Sequence, residues 1–146
     1  MRHHLILRVI TKLLVGIIFL FALYVQFHGD YSPGGGFQAG VIMAVGFIIY
    51  GLVFTLKTSK MVFPPWMVHK IVALGLLIYA GTGVYSLITG YTFLDYSAID
   101  PHAPVHGQHL GILIVEVGVG VTVTGVMVAI YYAFASRTPS LKDEDW

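Results

Sequence analysis

Apolar residues run on along this chain without a two-residue alternation, and polar residues gather into a few short interruptions. Four apolar segments result: Leu5 to Phe27, Phe37 to Leu56, Met67 to Thr89 and Gln108 to Ala135. Each is close to or above the about 20 residues that carry a helix across the hydrocarbon core of a bilayer. Continuous apolar runs do not fit the alternating pattern of a membrane β-strand. The pattern therefore predicts an all-α integral membrane protein of four transmembrane helices. Its connections are a short polar turn at 28–36, a Pro64-Pro65 break and a longer loop at 90–107. Paired prolines suit the stop of one helix and the first turn of the next. With 146 residues and no internal repeat, the chain reads as a single domain over 1–146.

Composition sharpens the picture. Hydrophobic residues make up 57% of the chain and charged residues 10%, with a mean hydropathy of +0.83; a soluble domain carries about 25% charged residues. The net charge of +1 says nothing about nucleic acid, and no basic patch interleaves with aromatics, so no nucleic-acid partner is expected. Without cysteine there is no disulfide, thiol chemistry or cysteine-ligated cluster. The first apolar run is too long for a signal peptide and lacks a small-residue cleavage site, so it reads as a retained span.

Charge also gives an orientation. All 8 Lys and Arg residues fall on one side of the four spans: Arg2, Arg8, Lys12, Lys57, Lys60, Lys70, Arg137 and Lys142. The positive-inside bias predicts both termini and the 57–70 connection in the cytoplasm of a cell-membrane protein. Asp30, Asp95, Asp100, His28, His102 and His106 fall on the other side. Trp66, Tyr24, Tyr31, Tyr91 and Tyr96 lie near span ends, where amphipathic rings are favoured. The tail from Ser136 to Trp146 reads as a short solvated end.

The connection between spans one and two is the most distinctive stretch: His28-Gly29-Asp30-Tyr31-Ser32-Pro33-Gly34-Gly35-Gly36-Phe37-Gln38-Ala39-Gly40. Pro33 ends the first helix before it, and the glycines permit a tight turn. The second helix is expected to start near Gly36 or Phe37. Gly36, Gly40 and Ala44 then recur every four residues, a strip on which another helix packs closely.

Glu116 is the single acidic residue inside a predicted span. It lies eight residues past the outer end of span four, about 12 Å deep. A charge there is costly, so the carboxyl is either protonated or faces a cation or water path. Protonated polar glue between helices is the structural alternative. At 100° per residue, His109, Glu116, Gly120, Val123 and Met127 share one face, and Gly111, Gly118 and Gly125 lie on the opposite one. Span four is thus expected to dock a neighbour through those glycines while presenting Glu116 elsewhere. His109, two turns above Glu116, is a candidate relay. Lys12 and Lys70 sit just inside their spans, where snorkelling explains both; a place near a proton path is the further candidate role.

No metal site is expected: His102 and His106 fall in a loop with Pro101 and Pro104, and no spanning helix carries an HExxH pattern. A haem anchored by His28 and His109 is the remaining cofactor reading, and the expectation is no cofactor at all. With no phosphate loop, nucleophile elbow or dinucleotide fingerprint, nothing points to an independent enzyme.

The runs HGDYSPGGGFQAGVIMA and GQHLGILIVEVGVGVTVTG closely resemble the B subunit of the multisubunit Mrp-type Na+/H+ antiporter, the MnhB-like family. The likeness rests on His28, Pro33, Gly34, Gly35, Gly36, Phe37 and Gly40, and on Gly107, Leu110, Gly111, Glu116, Gly118 and Val119, and extends over nearly the whole chain. The resemblance implies a small subunit of a hetero-oligomer in the bilayer. Its partners would include large antiporter-like subunits related to respiratory complex I, and the complex would exchange Na+ for protons. The same module resembles one in membrane-bound hydrogenase-type complexes, which leaves the host complex open between the two.

Overall fold

The computed structural model describes residues 5–29 and 35–137. Arg2, Asp30, Tyr31, Ser32, Pro33, Gly34 and the tail with Lys142 lie outside the described residues. The elements are α1 (Leu5–Phe27), α2 (Gly36–Phe54), a short α3 (Leu56–Val62), α4 (Pro65–Ile88), a 3-10 turn at Tyr96–Ala98 and α5 (Pro104–Ala135). Helices α1, α2, α4 and α5 are each long and apolar enough to cross a membrane, and no strand occurs among the described residues.

Three boundaries differ from the expected ones by two residues or more. Span two stops at Phe54 rather than Leu56, because Thr55 takes a φ of 93° and the chain restarts as α3. A β-branched residue in that region is costly. The Thr55 and Thr58 hydroxyls, 3.2 Å apart, bridge the break. Span three starts at Pro65, which occupies the first turn of α4 and leaves no amide donor wasted. Span four starts at Pro104 rather than Gln108, for the same reason. His106 is therefore helical, not in the loop.

The helices form a row in the order α1, α2, α5, α4. Helices α2 and α5 run in the same direction, since Gly36 meets Glu116 and Gly40 meets Gly120. Helix α4 runs against α5, with Gly75 beside Gly118 and Thr122 and with Val72 beside Gly125. The two hairpins are unequal in height. Helix α2 begins level with Glu116, twelve residues and so about 18 Å into α5. The α1–α2 turn is thus set against the side wall of α5. Above it, α5 packs instead on its own preceding loop, with Gly107 and Gly111 against Tyr96 and Asp100.

The buried cluster of Ala44, Phe63, Val68, Val128 and Tyr132 lies toward the other end of the helices, away from the α1–α2 turn. There the Tyr132 hydroxyl donates to Phe63 O at 2.8 Å and meets Ser59 Oγ at 3.1 Å. Lys60 donates to Ser136 Oγ at 2.7 Å. This end carries the described basic residues, and the wide apolar surface of α1 (Leu5, Ile6, Leu13, Leu20) is left exposed, as a bilayer or a partner requires.

Candidate functional site

Helix α5 brings Glu116 to the mouth of the α1–α2 turn. The carboxylate lies directly on glycine backbone. A Cβ at Gly29 would come 2.5 Å from Glu116 Oε2, and one at Gly35 would come 2.5 Å from Oε1. A Cβ at Gly36 would overlap the Glu116 carbonyl itself. At Gly36 a side chain is excluded by α5 backbone, whereas at Gly29 and Gly35 it would have to displace the Glu116 carboxylate. Gly35 is constrained a second way, since its φ of 102° and ψ of −171° form a region open almost only to glycine. Its N–H donates back to Val25 O at 3.4 Å, as does that of His28, which closes the turn on the end of α1.

Gly35 is also the residue before the first turn of α2, and no side chain caps that helix start. The positive end of a helix favours negative charge close by. Glu116 is half-buried. It therefore combines a carboxylate, a helix N-terminus and backbone brought close by small residues. One turn further along α5 the seam continues: Gly40 faces Gly120 O and Val123 Cβ, and the Thr124 hydroxyl reaches Gly40 O at 3.2 Å.

The other sequence candidates are dispersed. His109 is exposed on α5, and the His28 ring stacks on Tyr24 with centroids 4.9 Å apart. Lys12 lies over the Phe54 ring at 5.7 Å, at the far end of α2 from Gly36, about 27 Å away along the helix. Lys70 lies over Trp66 at 4.9 Å, on the stretch of α4 that packs against Gly125. Neither lysine comes near Glu116. Phe37 is exposed at the start of α2. Gly118 and Gly125 face α4, whereas Gly111 faces the Tyr96 ring. Among the described residues no group of three His, Cys, Asp or Glu side chains could hold a metal. Sequence pattern does not single out Gln26, which is buried beside Gly120. Its signal there is a lone amide in an apolar run.

A family profile described as a domain related to the MnhB subunit of Na+/H+ antiporter matches residues 6–129. The chain belongs to the MnhB family. It is 35% identical over 132 residues to antiporter subunit mnhB2 of Staphylococcus haemolyticus, covering 89% of this chain and 93% of that relative. Against the B subunit of the Na(+)/H(+) antiporter of Bacillus subtilis it is 33% identical over 130 residues, covering 83% and 90%. The mnhB2 protein of Staphylococcus aureus is 32% identical over 127 residues, covering 86% and 89%. Both MnhB stretches singled out above, the glycine turn and the Glu116 segment, meet at one place in the fold.

Proposed function

We propose that this MnhB-family chain is a multi-pass membrane subunit of a multisubunit Na+/H+ antiporter, without catalytic activity of its own. Glu116 flanks the path taken by Na+ or protons, and other subunits, including large antiporter-like ones, complete that path. Both termini lie in the cytoplasm, a reading supported by the placement of all Lys and Arg on one side of the spans. One observation carries the ion-path reading: the span's single carboxylate rests on the glycine turn and the uncapped start of α2. Such a site can exchange a proton for a cation with little rearrangement, since glycine backbone can follow a small displacement.

The same contact also supports a structural role, with Glu116 anchoring the turn. Glu116→Gln separates the two. It keeps size and one acceptor oxygen but removes the charge, so the subunit should enter the purified complex in normal amount. Na+-dependent proton exchange in everted vesicles should then fall at least about ten-fold, in line with the loss of a charged group from a low-dielectric site. Normal assembly with unchanged exchange would leave the anchoring role alone.

A further inference from the structure

A groove lies on the face of the α2–α5 pair, between α1 on one side and Ile71 of α4 on the other. Its volume is about 280 Å³, and its wall is almost wholly apolar, with Ala39, Met43, Phe47 and Val121 prominent. Gln26 forms part of the wall, one residue before the end of α1. Its side chain is 8% exposed, and Nε2 has no hydrogen-bond partner among the described residues. An amide N–H buried in this way costs free energy until an acceptor meets it.

The wall restricts the occupant. Water needs two to four polar partners, and the other polar wall residue, Thr124, already gives its hydroxyl to Gly120 O at 2.7 Å and Gly40 O at 3.2 Å. A cation is disfavoured because the polar atom is a donor and no carboxylate lines the groove. Along α2 the groove runs from Ala39 to Phe47, about 12 Å. A partner helix keeps its backbone carbonyls bonded within itself, so what suits both the apolar wall and the amide is an apolar chain with an acceptor at one end.

We propose that the groove is a phospholipid site in which one acyl chain lies between α1 and α4, its ester carbonyl accepting from Gln26 Nε2. The bilayer supplies this chemistry, and Gln26 lies one residue before the end of α1, at the end of the groove nearest the α1–α2 connection. The lipid then packs behind the seam that holds Glu116, touching Gly40 and Val117 on its far side.

The test uses the assembled complex in vesicles doped with a phospholipid bearing a photoreactive diazirine on an ester-linked acyl chain. Mass spectrometry maps the labelled residues. Labelling should concentrate at Met43, Phe47 and Val121 over the exposed α1 residues Leu13 and Ile17. An ether-linked probe, lacking the carbonyl, should label the groove about five-fold less, as should the ester probe on Gln26→Leu; both follow from the loss of one neutral hydrogen bond. Filling the groove with Ala39→Leu should displace the label while leaving the amide in place. A groove left unlabelled while Leu13 and Ile17 react would overturn the proposal, as would equal labelling by the ester and ether probes. The probe comparison decides even if Gln26→Leu fails to assemble.

Discussion

Helix α5 carries two seams of small residues, one toward α2 and one toward α4, and they differ in what lies between the helices. Toward α4, Gly118 and Gly125 meet Gly75, Ile78 and Val72, and the Thr122 hydroxyl turns back onto Gly118 O at 2.8 Å. That seam is closed on itself, and none of these residues brings a carboxylate to it. Toward α2, Gly36 and Gly40 meet the backbone of Glu116 and Gly120, and a carboxylate emerges onto the α1–α2 turn. Both seams obey the rule that small residues let apolar helices approach within a lipid solvent. The difference teaches that close approach alone does not mark function. What sets the α2 seam apart is that it also shuts a carboxylate against a helix start.

The largest effect should come from Gly36→Ala. Its Cβ meets Glu116 backbone, which cannot swing aside, so destabilisation of about 3 kcal/mol or more is expected, at the upper end for overpacking. Loss of this chain from the detergent-purified complex, or a large drop in its melting temperature, reads it. Gly75→Ala should cost less, about 2 kcal/mol. One of its near contacts is the rotatable Thr122 side chain, although Gly118 O also lies 2.6 Å away. Exchange per assembled complex should stay normal in Gly75→Ala. A fall like that expected of Glu116→Gln would erase the distinction between the seams.

Tyr132→Phe probes the far end of the helices, where Phe63 O and Ser59 would lose their partner. A cost of about 1 kcal/mol in thermal stability is expected, with exchange untouched. The smallest effect concerns the outer loop. The His106 hydrogen bond at 3.1 Å, helped by the Ala103 N–H, holds the Asp100 carboxyl below its ordinary 3.8. A carboxyl whose folded value is depressed stabilises the fold above its unfolded value, and that contribution is lost as pH falls below 3.8 through the folded value. His106→Ala should move the Asp100 midpoint back up, read by NMR of the labelled carboxyl carbon across that acid range. An unchanged midpoint would remove His106 as the cause.

The four spans were legible in the sequence because bilayer thickness imposes a length and an apolar content that any reader of hydropathy can see. Pro64-Pro65 told where α4 begins, whereas Pro104, expected in the loop, opens α5 four residues before the expected start at Gln108. The Thr55 break was hidden, since nothing in Leu52 to Leu56 forbids a continuous helix and only the return of α3 beneath α2 requires the kink. Glu116 stood out in the sequence as a buried charge, but not what it touches. A helical wheel separates faces without saying which neighbour meets each, and of Gly111, Gly118 and Gly125, alike on the wheel, the last two meet α4 and the first meets Tyr96. Gln26 stays hidden for a related reason. An amide near a helix end normally reaches water, and only the arrival of Gly120 against it made it buried. Local sequence thus determined the spans, because each segment answers to the bilayer alone. The meeting of the glycine turn with Glu116, and the groove behind it, were decided by packing between residues some eighty positions apart.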